Sequence, residues 1–433
     1  MEHRKSPYIW AAMGVLSLLC LSPISLGAAT QDPSLQDRIE QLEKQVADLK
    51  KEAATPASDV KPAAPKEAPA KKSLWSNLDI QLYGYVKGDA SRDSSRTSTG
   101  NFVLYVDSEA AKKNDAEFNL TANQTRLGLN INGPESETMK ASGKIEFDFF
   151  GNYADENKAK IQMRHAYMTL LWPKWDFSLL AGQTWDVVSP LSPNTLNYSV
   201  MWDAGNTGYR RPQFRLTKSL ALDEKTSLKF EAAVARTIGR TDAANSETGE
   251  DAGFPTAQGR VSMTFPLLGP KPTVIGLGGH SGREEYDLDA TGRNTDFDTW
   301  MVCLDATVPV CKKLTLLGEL FSGENLNAYY GGINQGVNTG TLKEIRSKGG
   351  WIAASLGPWS QWAFNLGAGL DDVNADDVGA GARTLNSSLF GNVLYSWTKN
   401  AQAGFELSRW NTHYKGDGDA DDIRAQLSFI YSF

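Results

Sequence analysis

The segment from Ile423 to Phe433 alternates between apolar and polar side chains, with Ile430 as the exception, and it constrains the fold more than any other feature. The apolar parity carries Ile423, Ala425, Leu427, Phe429, Tyr431 and Phe433, whereas the other parity carries Asp422, Arg424, Gln426 and Ser428. A period of two predicts a β-strand with one apolar and one polar face. The aromatic residues cluster near its end, as in the interface girdle of a transmembrane β-barrel.

Similar alternating segments recur throughout residues 74–433 and predict an all-β fold of about sixteen antiparallel strands. Short turns alternate with long polar loops, and the long loops are expected near 91–118, 186–210, 238–256, 283–297, 323–346, 371–382 and 411–421. A soluble β-sandwich would show the same alternation of side chains. The strand number and the alternation of loop lengths favour one closed transmembrane barrel with a tight rim and a looped rim.

Composition removes other classes of protein. With 41% hydrophobic and 22% charged residues, the chain is neither disordered nor collagen-like. Only one long apolar run is present, which excludes a bundle of membrane-spanning helices. The formal net charge of −7 gives no support for nucleic-acid binding.

The single apolar run belongs to a predicted secretory signal peptide, residues 1–29. Arg4 and Lys5 precede the apolar segment Ile9–Leu21, and small residues follow up to Ala29. This order is typical of a signal that is cleaved after export. An uncleaved anchor helix is the alternative, but the apolar segment is too short to span a bilayer.

Residues 30–52 predict a short helical coiled coil, and residues 53–73 predict an extended linker rich in Pro, Ala and Lys. The apolar seam repeats every three or four residues and consists of Leu35, Ile39, Leu42, Val46 and Leu49. Because isolated helices of this length are marginal in water, the seam indicates oligomerisation. A lone frayed helix remains the alternative.

Several segments, in order along the chain, resemble the DcaP-like outer-membrane porins. They are Leu82–Lys87 (LYGYVK), Gln124–Gly128 (QTRLG), Glu146–Gly151 (EFDFFG), Arg164–Tyr167 (RHAY), Gly182–Trp185 (GQTW), Pro193–Leu196 (PNTL) and Arg210–Arg215 (RRPQFR). The resemblance implies a homotrimeric channel in the outer membrane of a Gram-negative bacterium, with the N-terminal coiled coil in the periplasm. It also implies passive diffusion of small hydrophilic solutes, often anions such as dicarboxylates.

Other readings of the same sequence stay open. They are a sugar-selective porin, a general cation-tolerant porin, and a soluble surface-binding or adhesion protein on a coiled-coil stalk. For a porin, the expected partners are outer-membrane lipid and lipopolysaccharide, small anionic solutes and the barrel-assembly machinery. Phe433 is the expected assembly signal.

In general porins the third long loop folds into the barrel and narrows the pore, and segment 186–210 is expected to be that loop. The side chains expected to line the pore and set its selectivity are Lys87, Arg126, Lys144, Glu146, Asp148, Arg164, Asp186, Arg211, Arg215, Lys229, Arg260 and Arg424.

Four of these residues are expected to form a ladder of arginines on one wall: Arg126, Arg164, Arg211 and Arg215. A guanidinium group is permanently charged and binds a carboxylate through two donors, so the ladder would favour anions. The alternative is that these arginines only balance Glu146 and Asp148 within the wall.

The sequence contains no motif for bond chemistry: GxSxG, HExxH, P-loop and CxxC patterns are all missing. We therefore expect no enzyme, no cofactor and no bound metal. His165 shares parity with Tyr167 and is expected to face lipid. Cys303 is expected to face the lumen and Cys311 to lie in the following turn, too far away for a disulfide.

Overall fold

The computed structural model describes residues 78–112, 115–133, 136–151, 159–238, 252–287 and 293–433. The predicted signal peptide (1–29), coiled coil (30–52) and linker (53–73) lie outside the described residues. Within the described part of the chain, no helix has the length and apolar character needed to cross a membrane.

Strands make up most of the described chain. In chain order they are β1 (Asp79–Asp93), β2 (Glu117–Thr121), β3 (Arg126–Asn132), β4 (Lys140–Asp148), β5 (Gln162–Trp172), β6 (Phe177–Trp185), β7 (Arg210–Ala221), β8 (Ser227–Ala235), β9 (Thr256–Phe265), β10 (Thr273–Asp287), β11 (Asn294–Cys311), β12 (Leu314–Glu324), β13 (Val337–Asn338), β14 (Lys343–Glu344), β15 (Arg346–Trp359), β16 (Trp362–Val373), β17 (Arg383–Ser396), β18 (Ala401–Tyr414) and β19 (Gly418–Ser432). Short helical turns lie at Glu109–Lys112, Pro173–Trp175, Asn327–Tyr329 and Ala375–Asp377.

All these strands except β13 and β14 belong to one antiparallel sheet that closes on itself. Both β2 and β3 pair with β1, so they are two halves of one barrel strand and the barrel has sixteen strands. The short strands β13 and β14 form a separate hairpin. The predicted all-β barrel is therefore confirmed.

The barrel closes where β1 meets β19. Val86 is the register partner of Tyr431, and Asp93 is the partner of Arg424. The amide of Phe433 donates to the Gly84 carbonyl at 3.1 Å, and the Gly84 amide donates to the Phe433 carbonyl at 3.2 Å. The last residue of the sequence is thus part of the seam.

β19 illustrates why the alternating sequence forms a barrel wall. Ile423, Phe429 and Tyr431 are all more than half exposed on the outer face, whereas Asp422 and Arg424 are fully buried on the inner face. A water-filled or loop-filled lumen satisfies the polar parity, and the bilayer satisfies the apolar parity. The outer face is therefore the lipid-facing surface of the barrel.

The two rims differ, but two of the predicted long loops are wrong: most of 283–297 belongs to β10 and β11, and 411–421 is the paired end of β18 and β19 with only 415–417 between them. Both segments are polar because these strands extend beyond the apolar band.

Turns of a few residues connect the strands at one rim, and long connections lie at the other. Among the connections that the structure describes over most of their length, three that enter the barrel are named L1 (94–116), L3 (186–209) and L6 (325–345). The connection 149–161 was not among the predicted long loops, because Phe149 and Phe150 continue the apolar pattern of the preceding strand. Its presence makes L3 the third long loop.

Outward-facing side chains mark the edges of the lipid band. Exposed Trp175, Trp359, Trp362 and Trp397 lie at the rim with the short turns, where aromatic residues favour a membrane interface. At the other rim the outer face carries exposed ion pairs between neighbouring strands, including Arg409–Asp421 at 3.1 Å. Exposed charges on the outer face are expected beyond the hydrocarbon layer, at the level of the lipid headgroups.

The buried hydrophobic residues lie inside the barrel, because the loops fill it. One cluster joins Val188 of L3 to Met301 and Cys303 of β11 and to Leu326 of L6. Both Cys303 and Cys311 are free; Cys303 is buried on the lumen side as predicted, and Cys311 is exposed as the final residue of β11 rather than part of a turn.

Candidate functional site

L3 crosses the lumen and is anchored to the far wall by carboxylates. The amides of Leu196 and Asn197 donate to the Glu406 carboxylate of β18 at 2.7 and 3.2 Å. The Asn392 side chain holds the same carboxylate at 2.9 Å. Because loop backbone needs partners when it is buried, Glu406 replaces the water that would otherwise solvate this stretch of L3.

A second carboxylate anchors the first half of the loop. Glu319 of β12 accepts hydrogen bonds from the Ser189 hydroxyl at 2.6 Å and from the Leu191 amide at 2.9 Å. Trp351 of β15 donates to the same group at 3.2 Å. L3 is thereby fixed against the strands that follow β10.

L3 and L6 interlock near the centre of the lumen. The rings of Trp202 and Tyr330 stack with their centroids 4.5 Å apart. The Asp203 amide donates to the Tyr330 carbonyl at 2.9 Å, and the Gly208 amide donates to the Tyr329 carbonyl at 2.7 Å. Burial raises the pKa of Tyr329 and keeps its hydroxyl protonated. The two loops form one body.

L1 completes the filling of the lumen. Phe102 of L1 packs against Phe150 and against Tyr198 of L3, with ring centroids 5.4 and 5.1 Å apart. The Asn386 side chain of β17 donates to the carbonyls of Leu104 in L1 and Asp203 in L3, each at 2.7 Å. The strands after β10 therefore support all three loops.

The opposite wall, formed by β3 to β9, carries the basic side chains. Glu146 of β4 is the centre of one network: Arg164 lies 2.8 Å, Arg126 3.5 Å and Lys144 3.9 Å from its carboxylate oxygens. The Tyr83 hydroxyl donates to it at 2.7 Å. The sequence pattern predicted the inward direction of these side chains but not their convergence on one carboxylate.

Arg164 is buried and has two carboxylate partners, since its Nη1 also lies 2.6 Å from Asp148. A register shift between Glu146 and Phe147 leaves Arg164 as the extra residue of a β-bulge in β5. His165 then pairs with Glu146 and points inward, where its Nδ1 lies 3.0 Å from the Thr184 hydroxyl. The expected lipid-facing position of His165 is wrong for this reason.

A second network surrounds Glu231 of β8. Lys229 lies 3.0 Å, Arg260 3.2 Å and Arg215 3.9 Å from its carboxylate oxygens. Arg260 also binds Asp305 of β11 at 2.6 Å. Arg215 further donates to the Trp185 carbonyl, at the point where L3 begins.

Asp186, the first residue of L3, is held by side chains of the barrel wall. Its carboxylate lies 2.7 Å from Arg211 Nε and accepts from Gln258 at 2.6 Å. The Arg211 guanidinium carbon lies 3.8 Å from the Tyr329 ring centroid, and its Nη2 donates to the Ala328 carbonyl at 3.1 Å. Arg211 thus joins the base of L3 to L6 rather than facing open lumen.

Lys87 and Arg424 lie apart from the basic wall. Lys87 donates to the Leu196 carbonyl of L3 at 2.8 Å and lies 3.3 Å from Asp89. Arg424 lies 2.9 Å from Asp93, and both are buried at the barrel seam. The structure separates these two cations from the arginines of β3 to β9.

Basic side chains exceed acidic ones on the β3–β9 side. Its networks contain eight cations, Arg126, Lys144, Arg164, Arg210, Arg211, Arg215, Lys229 and Arg260, and five carboxylates, Glu146, Asp148, Asp186, Glu231 and Asp305. Within these networks the cations exceed the carboxylates by three, and Glu284 of β10, whose charge also attracts Arg211, reduces the excess to two. Four of the cations keep some solvent contact: Arg126, Lys144, Arg215 and Lys229, whose side chains are 16–43% exposed.

Tyrosines accompany the accessible cations, which the sequence analysis did not anticipate. Arg126 lies over the Tyr85 ring at 5.2 Å, and Lys144 lies over the Tyr83 ring at 4.9 Å. Cation–π contact holds each side chain against the wall without neutralising it. The signal that could have shown this is the inward parity that Tyr83 and Tyr85 share with Lys87. Among the described residues, no group of three or more metal-ligating side chains converges.

Comparison with known proteins identifies the fold and the family. A family model described as DcaP outer membrane protein matches residues 37–264, which is more than half of the chain. The chain belongs to this family. The description of the family assigns the protein to the outer membrane. A comparison with curated protein sequences found no significant match.

Solved structures share the barrel. The outer membrane channel DcaP of Acinetobacter baumannii superposes with a TM-score of 0.68 at 21% identity, covering 83% of this chain and 98% of that chain. An anion-selective porin from Comamonas acidovorans gives 0.52 at 15% identity, covering 82% and 100%. The trimer form of OmpT from Vibrio cholerae gives 0.50 at 10% identity, covering 82% and 99%.

Proposed function

We propose that this DcaP-family channel passes small hydrophilic solutes and prefers anions such as dicarboxylates. The observation that carries the proposal is the excess of positive charge on the β3–β9 side, with four cations that keep solvent contact. L3, L1 and L6 pack mainly against the remaining strands, so a solute is guided along the basic side. There it exchanges part of its hydration for guanidinium and ammonium contacts.

Replacing Arg126 and Arg215 together by Gln tests the proposal. Both residues are half-buried, and their carboxylate partners keep other cations, so the barrel should assemble normally. Reversal potentials in a dilute KCl gradient should shift toward cations. Dicarboxylate flux into liposomes should fall about fivefold, because a partly exposed charge contributes on the order of 1 kcal/mol.

The matched control replaces Arg283 and Arg409 by Gln, which removes the same number of arginines from ion pairs on the outer face. Selectivity should then stay at the wild-type value. An unchanged reversal potential in the lumen variant would mean that the arginines only balance charge. A larger loss for a neutral sugar than for a dicarboxylate would favour the sugar-selective alternative.

The assembly we infer is a homotrimer with residues 30–52 as a periplasmic coiled coil. Its support is the apolar seam of that segment and the trimer form of the OmpT barrel, which has the same fold. Charged residues at Ile39 and Val46 should abolish the coiled coil, and deletion of 30–72 should still leave conducting channels. Loss of all conductance on that deletion would make the segment part of the pore.

The surroundings follow from the outer face. Lipid is expected against the apolar band, and lipopolysaccharide headgroups are expected against the ion pairs of the looped rim, such as Arg409–Asp421. The barrel-assembly machinery is expected to recognise the strand that ends in Phe433. Cross-linking from position 409 to lipopolysaccharide in whole cells would test the contact between the looped rim and lipopolysaccharide. Failure to cross-link would count against an orientation with the looped rim toward the outer leaflet.

A further inference from the structure

We propose that Arg210 is the anion-coordinating residue of the permeation path and forms a binding site for a single carboxylate. The inference rests on the proposed function and names the site that would set its specificity. Arg210 is the first residue of β7 and directly follows L3, so its position is fixed by both the barrel and the loop.

Two aromatic rings cover the faces of the Arg210 guanidinium. Its central carbon lies 4.7 Å from the Trp185 ring centroid and 4.5 Å from the Tyr209 ring centroid. Trp185 ends β6 and Tyr209 ends L3, so the clamp spans the base of the loop. Such contacts orient a guanidinium and compensate part of its lost hydration, but they leave its charge intact.

The edge of the same group lacks a carboxylate partner. Arg210 is 2% exposed, and none of its three guanidinium nitrogens makes a well-formed hydrogen bond to the described residues, although the Tyr209 hydroxyl lies close to the group. No carboxylate oxygen of that part of the chain lies within 4 Å of them, in contrast to the buried Arg164, Arg211, Arg260 and Arg424, each of which has one within 3 Å. A buried cation without a carboxylate partner is costly.

The surroundings attract this charge but offer it no free carboxylate, since the nearest groups are the Tyr209 and Tyr198 hydroxyls and Asp148. Asp148, the carboxylate of the adjoining network, is already held by Arg164 at 2.6 Å and by the Tyr198 hydroxyl at 3.1 Å. The Tyr209 hydroxyl accepts from Gln162. An acceptor from outside the protein is therefore the partner that the guanidinium lacks.

A carboxylate matches the Arg210 edge in shape and charge. With both faces covered, only in-plane approach remains, and a carboxylate binds an arginine edge through two parallel hydrogen bonds. Trp185 and Tyr209 are themselves only partly buried, and a solute would have to reach the guanidinium edge past these two rings. Arg215 donates to the carbonyl of Trp185, keeps some solvent contact, and would receive the second carboxylate of a dicarboxylate.

A defined site changes the concentration dependence of transport. A channel that coordinates its solute saturates when the site is occupied, whereas a merely charged pore shows conductance that rises with concentration. The full-length wild-type protein in planar bilayers, with succinate as the only anion, should therefore show a conductance that saturates.

The variants Arg210→Gln and Arg210→Lys test the residue. Gln removes the charge and should raise the half-saturating succinate concentration about tenfold or more, the expected loss for a charge-assisted hydrogen bond. Lys keeps the charge but loses the planar edge, so it should raise that concentration less than Gln does. Arg409→Gln, on the outer face, is the control and should match the wild type.

The outcomes separate the two proposals. A wild type that prefers anions, with Arg210 variants that saturate at the wild-type concentration, would overturn the Arg210 site and leave the channel function standing. A wild type without anion preference would overturn both. If the Gln variant fails to form heat-modifiable barrels, the Lys variant tests the site alone. A half-saturating succinate concentration equal to that of the wild type in the Lys variant would contradict a site in which the arginine donates two hydrogen bonds.

Discussion

The residue type at some lumen positions is set by how closely two backbones approach each other, and not only by charge. Gly205, near the tip of L3, has a φ of +108°, a conformation that favours glycine. A Cβ atom there would lie 2.7 Å from the Gly350 carbonyl carbon and 2.9 Å from the Leu370 amide nitrogen. The loop therefore reaches the wall with backbone against backbone.

We expect Gly205→Ala to push the L3 tip away from β15 and β16. The overlap involves main-chain atoms that cannot rotate aside, so the barrel should lose about 1–3 kcal/mol of stability. The midpoint of heat modification on gels should fall, and single-channel conductance should become more variable. Gly391→Ala is the matched control, because a Cβ at Gly391 meets no atom within 4 Å. An equal effect of both substitutions would refute the contact.

At this scale the sequence predicts direction but not partners. Parity correctly placed Cys303 and Arg424 on the inner face of the barrel. It failed at His165, because one bulged residue reverses the parity of everything after it and leaves no mark in the sequence. The contacts of Arg424 with Asp93 and of Lys87 with the Leu196 carbonyl were also hidden, because these partners lie far away in the chain.

Among the elements, the body formed by L3 and L6 controls how much of the lumen is free. Its segments contain several residues with positive φ, including Val200 at +46° and Ile333 at +51°. A β-branched residue is strained in this region, so packing must hold both segments in place. The Trp202–Tyr330 stack supplies part of that packing.

Tyr330→Ala should loosen this body. Loss of the stacked ring removes roughly 0.5–1.5 kcal/mol beyond the area it buries, which favours excursions of L3 and L6. Single-channel recordings should then show more frequent transitions between conductance levels. Tyr330→Phe keeps the ring and should behave like the wild type; if Phe and Ala give the same records, stacking does not hold the loops.

The inward fold of L3 could be predicted because it is the third long loop of the barrel. The inward fold of L6 could not be predicted. Both are polar connections with glycines, and nothing in the composition of 325–345 distinguishes a loop that folds inward from one that faces solvent. The distinction depends on contacts such as Gly208 with Tyr329, which form only once the barrel is closed.

For the whole molecule, alternation was sufficient to predict the barrel and its strand number. Each strand has one face toward lipid and one toward the lumen, so the period-two signal repeats in every strand. Closure adds the contacts between β1 and β19, in which the backbone of Phe433 both donates a hydrogen bond to Gly84 and accepts one from it.

Deleting Phe433 should therefore impair insertion into the outer membrane. The deletion removes two backbone hydrogen bonds at the seam and the aromatic end of the last strand. The amount of heat-modifiable protein in outer-membrane fractions is the measurement, and we expect it to fall severalfold. Phe433→Tyr keeps both features and serves as the control. Normal amounts of the deletion variant would show that neither feature is required.

The anchors of L3 also set the order in which the channel is completed. Glu319 lies 128 positions after Leu191, and Glu406 lies 210 positions after Leu196. Contacts so distant in the chain form late, since the intervening loop must first be closed at an entropic cost. A barrel stalled before β18 inserts would leave L3 undocked and leak solutes that the finished protein excludes. We expect cells that make Glu406→Ala to become sensitive to a bulky antibiotic.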